Sequence, residues 1–348
     1  MRRSTRQVFV GNVGIGSDHP VSIQSMTTTD TRDPDATVAQ IQALASAGCD
    51  IVRLAVPDFE AADKLPEIIR RSSIPVVADI HFDHRLALKS IEAGAAKIRL
   101  NPGNIGSLER VKEVVALAKE RQVPIRIGVN GGSLEKELLE KYGGVTPEAI
   151  VESARRHLEI LETLQFENVI VALKSSDIQT TIQAYKQLCA YTDAPFHIGL
   201  TESGTVFKGS IRSSIAIGHL LLEGMGDTLR VSLTGDPLNE IRVGKEILSA
   251  LGLRKGGIRL ISCPTCGRCQ IDLEKIADEV ERRVEGLDKD ITLAIMGCAV
   301  NGPGEAREAD LGIAGGKGEA LIFKKGVILK KAREEDLVEV LLEEIMKL

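Results

Sequence analysis

The chain has 348 residues, of which 43% are hydrophobic, and this length predicts one large domain followed by a smaller one. Its formal net charge of −5, its aromatic content of 3% and the absence of tryptophan argue against binding of nucleic acid. No apolar run is as long as a membrane span, and none follows the basic N-terminus as in a signal peptide, so we expect a soluble cytoplasmic protein with no membrane contact.

Residues 21–235 alternate short β-branched runs with amphipathic helical stretches. Capping residues before a proline, at Asp33 and Thr146, predict two of the helix starts. Eight strand–helix units predict a (β/α)₈ TIM barrel. An open doubly wound sheet is the weaker alternative, because no G-x-G-x-x-G and no P-loop follows any strand. The predicted strands are residues 21–26, 51–56, 75–82, 97–101, 124–130, 169–175, 196–201 and 229–233.

The domain organisation follows from these patterns. We expect a small hairpin at residues 7–16 to plug the floor of a barrel domain that spans residues 1–236. A helical linker over residues 237–257 then leads to a small α+β domain at residues 258–348. Its predicted elements are strands at 258–262, 291–296, 311–314 and 320–329, a helix at 273–284 and a terminal helix from residue 334.

The second domain contains four of the six cysteines, and three of them have the spacing of metal ligands. Cys263 and Cys266 form a C-x₂-C pair, and Cys298 is the distant third thiol. Zinc commonly takes a second pair, but Cys298 has only Glu305 close to it in sequence. Three thiolates with one oxygen ligand favour an iron–sulfur cluster, with zinc, a disulfide or unliganded thiols as the open alternatives.

Single cations stand in the predicted strands of the barrel. Because chemistry in this fold occurs at the carboxyl ends of the strands, Arg53, Arg99, Arg126 and Lys174 predict a positive pocket for phosphate or diphosphate. An arginine in a strand can also point outward or pair with a carboxylate, but four such residues together favour a pocket. Arg230 is a weaker candidate, because it is assigned to the start of its strand.

Glu202 follows the seventh predicted strand and precedes a glycine. It is the best-placed acid in the barrel for proton transfer, and its alternative role is to pair with an arginine. His81 stands at the end of the third predicted strand, where structural and catalytic roles are equally compatible with its position.

Seven segments occur in the order found in one known family. They are SMTTTDTR at 25–32, ADIHFD at 78–83, RLNPGNIG at 99–106, RIGVNGGS at 126–133, LTESG at 200–204, CPTC at 263–266 and GCAVNGPGE at 297–305. Across essentially its whole length, the chain resembles the hydroxymethylbutenyl diphosphate synthase family of isoprenoid biosynthesis, in its compact bacterial two-domain form.

The resemblance implies an oxidoreductase that opens the ring of 2-C-methyl-D-erythritol 2,4-cyclodiphosphate and removes water to form 4-hydroxy-3-methylbut-2-enyl diphosphate. It implies that flavodoxin or ferredoxin supplies two electrons through a [4Fe-4S] cluster, whose ligands map to Cys263, Cys266, Cys298 and Glu305. A carboxylate at the fourth iron is more easily exchanged for a substrate oxygen than a thiolate is.

The resemblance also implies roles for the barrel residues. The diphosphate ligands map to Arg53, Arg99, Arg126 and Lys174, with Asn130 as a further polar contact. The proton donor maps to Glu202. The family further implies a head-to-tail homodimer in which the cluster of one chain caps the barrel of its partner.

Two questions remain open at this point. Cys269 is an additional thiol beside the first cysteine pair that competes with Glu305 for the fourth iron, and we expect Glu305 to be the ligand.

Two other functions also fit parts of the pattern. One is a metal-stabilised barrel lyase or aldolase with a Schiff base on Lys174 and a zinc-bound structural cap, and the other is a non-catalytic electron carrier.

Overall fold

The computed structural model describes residues 2–254, 257–287, 289–298 and 307–348. The chain divides into two units, Met1–Arg254 and Lys255–Leu348. Each unit is built around a hydrophobic core of its own. Across the described ranges, no helix combines the length and the apolar character needed to cross a membrane.

The first unit begins with a hairpin of two short strands, β1 (Val8–Val10) and β2 (Val13–Ile15), which pair antiparallel. Apolar side chains of both strands pack against Ile51, Val77 and Ile170, which lie on strands of the barrel. The predicted plug at the barrel floor is therefore confirmed.

The described part of the first unit continues with a ring of eight parallel strands. Hydrogen bonds join them in the order β8-β7-β6-β5-β4-β3-β10-β9, and a parallel bridge between Val171 and Phe196 closes the ring. The predicted TIM barrel is confirmed. The strands are β3 (Ser22–Met26), β4 (Ile51–Ala55), β5 (Val76–Asp79), β6 (Lys97–Arg99), β7 (Ile125–Asn130), β8 (Val169–Lys174), β9 (His197–Ile198) and β10 (Thr228–Leu229).

Helices surround this ring, and their starts follow ordinary capping chemistry. Asp33 accepts a hydrogen bond from the backbone N–H of Ala36 at 3.1 Å, and Thr146 accepts one from Ala149 at 3.2 Å, as predicted. The helices are α1 (Pro34–Ser46), α2 (Phe59–Arg71), α3 (His84–Glu92), α4 (Leu108–Glu120), α5 (Lys136–Tyr142), α6 (Pro147–Thr163), α7 (Ile178–Leu188), α8 (Val206–Leu222) and α9 (Leu238–Ala250). Short 3₁₀ turns at Pro102–Asn104 and Gly131–Ser133 follow β6 and β7.

The eighth barrel strand is shorter than predicted and begins earlier. It ends at Leu229, so the predicted extension to residue 233 is wrong. The backbone N–H of Arg230 still bonds to the carbonyl of Ile198, but that of Leu233 donates to the Glu240 carboxylate at 3.0 Å. The side chain of Glu240 thus replaces a strand neighbour and turns this segment into a loop.

The second unit contains a five-stranded sheet in the order β11-β12-β13-β14-β15. The first three strands are parallel and the last two are antiparallel to their neighbours. Helices α10 (Leu273–Val284) and α11 (Leu337–Met346) contribute apolar side chains to its core, and a 3₁₀ turn (Glu334–Asp336) precedes α11. The strands are β11 (Ile258–Ser262), β12 (Ile291–Met296), β13 (Leu311–Gly315), β14 (Glu319–Lys324) and β15 (Val327–Arg333).

One prediction for this unit is wrong. The strand predicted at residues 320–329 is in fact a hairpin of β14 and β15. Lys325 and Gly326, with φ of 48° and 77°, form the two-residue turn between them. Positive φ at both positions is the geometry that matches the twist of a tight hairpin.

The barrel interior is polar above its apolar floor. Gln24, Lys97, Arg126 and His197 are all buried, with at most 2% of their surface exposed. Interiors of this fold are usually filled by layers of branched apolar side chains. The polar filling therefore marks the part of the barrel in which a site is built.

Candidate active site

The four cations predicted from the sequence lie on the barrel strands toward their carboxyl ends. Arg53 is on β4, Arg99 ends β6, Arg126 is on β7 and Lys174 ends β8. Arg99 and Arg126 are direct cross-strand partners. Three of the four residues are buried, and the side chain of Arg53 is 11% exposed. We call these four residues the cation ring.

Asp79, at the end of β5, supplies a counter-charge to this ring. Its carboxylate lies 3.6 Å from Nε of Arg53 and 3.5 Å from Nη1 of Arg99. Burial acts to raise the pKa of Asp79, but the charges of Arg53, Arg99 and Arg126 together lower it below its ordinary value. Asp79 is therefore an ionised, buried carboxylate. Alternation along the third predicted strand places Asp79 in the barrel, but its two partners depend on cross-strand register.

The electrostatics of the ring favour an anionic ligand. Burial is the main cause that lowers the pKa of Arg53, to about 10, with the charges of Arg230 and Arg99 adding to it. Burial also lowers the pKa values of Arg126 and Lys174 well below their ordinary values, and nearby arginines lower them further. A bound anion would relieve this repulsion, because opposite charges favour the protonated forms.

Arg230 belongs to the same region, and its assignment to the start of a strand is wrong. It directly follows β10, so it lies at the carboxyl end with the other cations. Its Nη2 lies 3.2 Å from the buried carboxylate of Glu240, which also accepts a hydrogen bond from Ser25 at 2.7 Å. Glu240 lies on α9, outside every predicted strand, which is why strand-end reasoning did not find it.

Gly128 allows Arg99 to cross the face of β7. A Cβ atom at this position would lie 2.8 Å from Nε of Arg99. The carbonyl of Gly128 accepts hydrogen bonds from Arg99 and from Asn101, each at 3.0 Å. Asn101 also accepts from the Gly128 N–H at 2.8 Å, so it orients the backbone next to the ring.

His81 and Asn130 lie beside the ring and are more accessible. The Nδ1 atom of His81 is 3.0 Å from Nη1 of Arg99, and its side chain is 57% exposed. Burial is the main cause that lowers the pKa of His81, while Asp79 opposes this shift. The neutral imidazole can therefore accept a hydrogen bond from Nη1 of Arg99 at its Nδ1 atom. Asn130 ends β7 opposite Lys174 and is partly exposed, so both side chains can contact a ligand.

Glu202 lies in the loop between β9 and α8, with its side chain exposed. Its backbone φ of 54° falls in the left-handed region, which is strained for a residue with a Cβ atom. Gly199, three residues before Glu202, has a φ of 155°, and a Cβ atom there would collide with the carbonyl oxygen of Arg230. Similar φ angles occur at Gln122, Gln165 and Lys325, which lie in ordinary turns, so the role predicted for Glu202 depends on its place in the loop after β9.

The predicted cysteine ligands are positioned by the second unit. Cys263 directly follows β11 and Cys298 follows β12 by two residues, and these strands are parallel neighbours in which Ser262 lies opposite Ile295. The sulfur of Cys263 accepts a hydrogen bond from the Gly297 N–H at 3.2 Å. All six cysteines are free of disulfide bonds.

Cys266 lies in an exposed turn, in which its carbonyl accepts the N–H of Cys269 at 2.9 Å. The thiol of Cys269 itself donates to the carbonyl of Ile271 at 3.2 Å. A Cβ atom on Gly297 would collide with the Cys269 sulfur, so this glycine packs directly against the thiol. Cys269 is thus engaged by the backbone of its own segment.

Glu305, the predicted oxygen ligand, lies outside the described residues. Within the described ranges, no group of three His, Cys, Asp or Glu side chains is close enough to bind one metal ion. The thiolates that hold a cluster bind different iron atoms, so they lie farther apart than the ligands of a single ion. Two cysteines on adjacent strand ends, with a backbone donor at the sulfur of one, fit such a group.

Comparison with known sequences gives matches along both units. The chain matches the GcpE TIM-barrel domain over residues 5–245 and the GcpE protein C-terminal domain over residues 259–347. It is 60% identical to 4-hydroxy-3-methylbut-2-en-1-yl diphosphate synthase (flavodoxin) of Geobacter sulfurreducens, over 100% of this chain and 99% of that protein. The protein of that name from Clostridium perfringens is 60% identical, over 98% of each chain.

Comparison with solved structures supports the fold of the barrel. The dihydropteroate synthase of Yersinia pestis superimposes with a TM-score of 0.50 and 11% identity, over 72% of this chain and 100% of that chain. At this identity the similarity shows the barrel fold alone.

Proposed function

The chain belongs to the GcpE family, and from this premise we propose that it is a reductive enzyme of isoprenoid biosynthesis that acts on a cyclic diphosphate. The reaction is the ring opening and dehydration of 2-C-methyl-D-erythritol 2,4-cyclodiphosphate to 4-hydroxy-3-methylbut-2-enyl diphosphate. The observation that carries this proposal is the cation ring, which has three buried cations and the slightly exposed Arg53, with Asp79 among them as a counter-charge. The alternative of a zinc-capped lyase is not favoured by the relatives.

The ring is suited to the diphosphate of this substrate. We assign its binding to Arg53, Arg99, Arg126 and Lys174, with Asn130 as a polar contact. Guanidinium groups can bind phosphate oxygens through two parallel hydrogen bonds, and the Lys174 ammonium adds a point charge. Burial removes competing water, so each charge-assisted contact is stronger than it would be at the surface.

Members of this family carry a [4Fe-4S] cluster, which supplies electrons one at a time when it is bound. We assign its ligands to Cys263, Cys266, Cys298 and Glu305. The hydrogen bond from Gly297 to the sulfur of Cys263 is of the kind that tunes a metal-bound thiolate. The names of the relatives support flavodoxin as the electron donor, and we propose the cytoplasm, where thiols stay reduced, as the location.

Glu202 is proposed as the residue that transfers a proton to the departing hydroxyl. Its loop follows β9 at the carboxyl end of the barrel, and its strained backbone presents the carboxyl group to solvent or ligand. Loss of a hydroxyl as water requires a proton at the leaving oxygen, and a carboxylic acid is an ordinary donor for this step.

A homodimer with a shared active site is proposed as the working unit. An exposed apolar face on α8 supports self-association: Phe207, Ile211, Ile215 and Leu222 are 77%, 48%, 52% and 75% exposed. Their spacing places them on one side of the helix. Exposed apolar patches of this type mark protein contacts, and a second copy of the chain is the proposed occupant.

The function is tested with protein purified without oxygen and loaded with iron and sulfide. Reduced flavodoxin is added with the cyclic diphosphate, and the open-chain diphosphate product is measured by mass spectrometry. Product that depends on both the cluster and the reductant supports the proposal. A chain that binds zinc instead and forms no product under these conditions contradicts it.

A further inference from the structure

Lys97 is a buried lysine that the proposed diphosphate site does not use. It begins β6 two residues before Arg99, so both side chains point into the barrel and Lys97 lies one level deeper. It has no exposed surface. Its Nζ donates a hydrogen bond to Oε1 of Gln24 at 3.0 Å, and this acceptor is an uncharged amide.

The groups around Lys97 are neutral or positive. Gln24 faces it from β3, Arg53 from β4, Arg126 from β7 and His197 from β9. Val77, the partner of Lys97 on β5, is apolar, and Thr228 of β10, which contacts His197, is uncharged. The nearby carboxylate of Asp79 lies beside Arg53 and Arg99 at the next level.

A buried ammonium without a carboxylate is unfavourable, whereas a neutral amine is tolerated in the same place. Burial lowers the pKa of Lys97 well below its ordinary value, and the charges of Arg126 and Arg53 lower it further. A methionine would fill the same space without this penalty. The presence of a lysine is therefore explained by a change of charge during function.

We propose that Lys97 is neutral in the free enzyme and takes up one proton when a diphosphate binds to the cation ring above it. The lone pair of Nζ binds a proton that the solvent buffer supplies, and no other bond is made or broken. The inference rests on the proposed function for its ligand, since the negative charge of a diphosphate favours the ammonium form below it. Lys97 is thus a positioning residue whose charge appears only when the ligand is present.

Calorimetry with the cluster-loaded enzyme tests this inference. The probe is P1,P2-dimethyl diphosphate, in which each phosphorus keeps one strongly acidic group, so the probe itself does not titrate near neutral pH. Binding heats are measured in buffers of different ionisation enthalpy, which gives the number of protons taken up. The variants are Lys97→Met and Lys97→Gln, and the control is Lys89→Met, at a surface lysine that pairs with Asp63.

The wild type and the Lys89→Met control should take up about one proton more than either Lys97 variant. Burial also lowers the pKa values of Lys174 and His197, and both residues remain in all four proteins. The Lys97 charge is only a minor cause of the shift at His197, so the difference in uptake reports Lys97. In the wild type, affinity should weaken with rising pH by up to about tenfold more per pH unit than in the variants, between the pKa values of the free and bound states.

The possible failures can be told apart. Binding to the wild type without proton uptake, or equal uptake in a Lys97 variant, overturns this inference and leaves the proposed function standing. No binding of the probe to the wild type overturns the diphosphate site, and the inference with it. Two variants guard the test against misfolding, since Lys97→Gln keeps a polar side chain at this position and carries the comparison if Lys97→Met does not fold.

Discussion

The carboxylate of Asp79 lies 3.5 Å from Nη1 of Arg99, and the two residues are opposite each other on β5 and β6. Both side chains are buried, with 7% and 8% of their surfaces exposed. Asp79 therefore stabilises the cation ring before any ligand binds. A diphosphate that binds there either displaces the Asp79 carboxylate from its arginines or places further negative charge beside it.

Replacement of Asp79 by the isosteric asparagine should destabilise the free protein by about 3–5 kcal/mol, because it leaves buried guanidinium groups without their counter-charge. Thermal unfolding measures this loss, and added pyrophosphate should raise the melting temperature of Asp79→Asn more than that of the wild type. The pKa of Asp79 is lowered in the folded state, so its stabilisation is present above the unfolded carboxyl pKa of about 3.9 and is lost as the pH falls through the folded value. The difference between the two proteins should therefore shrink in acid, and a constant difference would contradict this assignment.

Removal of one cation from the ring should weaken diphosphate binding by roughly 1.5–3 kcal/mol, as for a charge-assisted hydrogen bond. Arg99→Met tests this by calorimetry, with Arg85→Met as the control at an exposed arginine that pairs with Asp83. Gly128→Ala should also weaken binding, though less, because its Cβ atom would lie 2.8 Å from Nε of Arg99 and displace a charge that remains present. Unchanged affinity in Arg99→Met would exclude Arg99 from the site.

Glu202→Gln should lower turnover and leave substrate affinity largely unchanged, because the amide keeps the shape of the side chain and loses the proton. Glu202→Gly separates this chemistry from folding. A glycine at a φ of 54° relieves about 1–2 kcal/mol of strain, so this variant should be more stable and equally impaired in turnover. Steady-state kinetics and thermal unfolding give the two quantities. Full turnover in Glu202→Gln would end its proposed role as proton donor.

Cys263→Ala, Cys266→Ala and Cys298→Ala should each lose the cluster and the activity. Cys269→Ala should keep both, because the Cys269 thiol donates to the carbonyl of Ile271. Iron and sulfide analysis of each purified variant decides this assignment, and loss of the cluster in Cys269→Ala would overturn it. Glu305→Ala should retain part of the cluster through the three thiolates and lose most of the activity.

A shared active site predicts complementation between impaired chains. Cys298→Ala should be inactive alone and Glu202→Gln should have low turnover, but a mixed dimer should be more active than either variant. In such a dimer, one barrel with an intact Glu202 faces the intact cluster of its partner. Sites built within single chains would give no recovery on mixing.

Phe207→Asp on α8 should lower the dimer fraction in analytical ultracentrifugation, since it places a charge in the proposed interface.

Local patterns in the sequence predict the elements of this protein well. The β-branched runs locate all eight barrel strands, and Asp33 and Thr146 cap their helices as predicted. The predictions fail where a side chain on the following helix decides the backbone, as at Leu233, whose N–H bonds to Glu240. They also fail at Lys325, where a turn interrupts an apparently continuous strand.

The sequence by itself determined the barrel, the alternation that turns Arg99 and Lys97 to its interior, and the spacing of the cysteines. These features depend on period and order, which are local properties of a chain. Only the tertiary structure decided which charges meet: Asp79 with Arg53 and Arg99, Arg230 with Glu240, and Lys97 with the neutral Gln24. The physical reason is that these meetings depend on packing between elements. Strand register sets the distances from Asp79 to Arg53 and Arg99, closure of the ring brings Lys97 to Gln24, and the packing of α9 against the barrel brings Glu240 to Arg230.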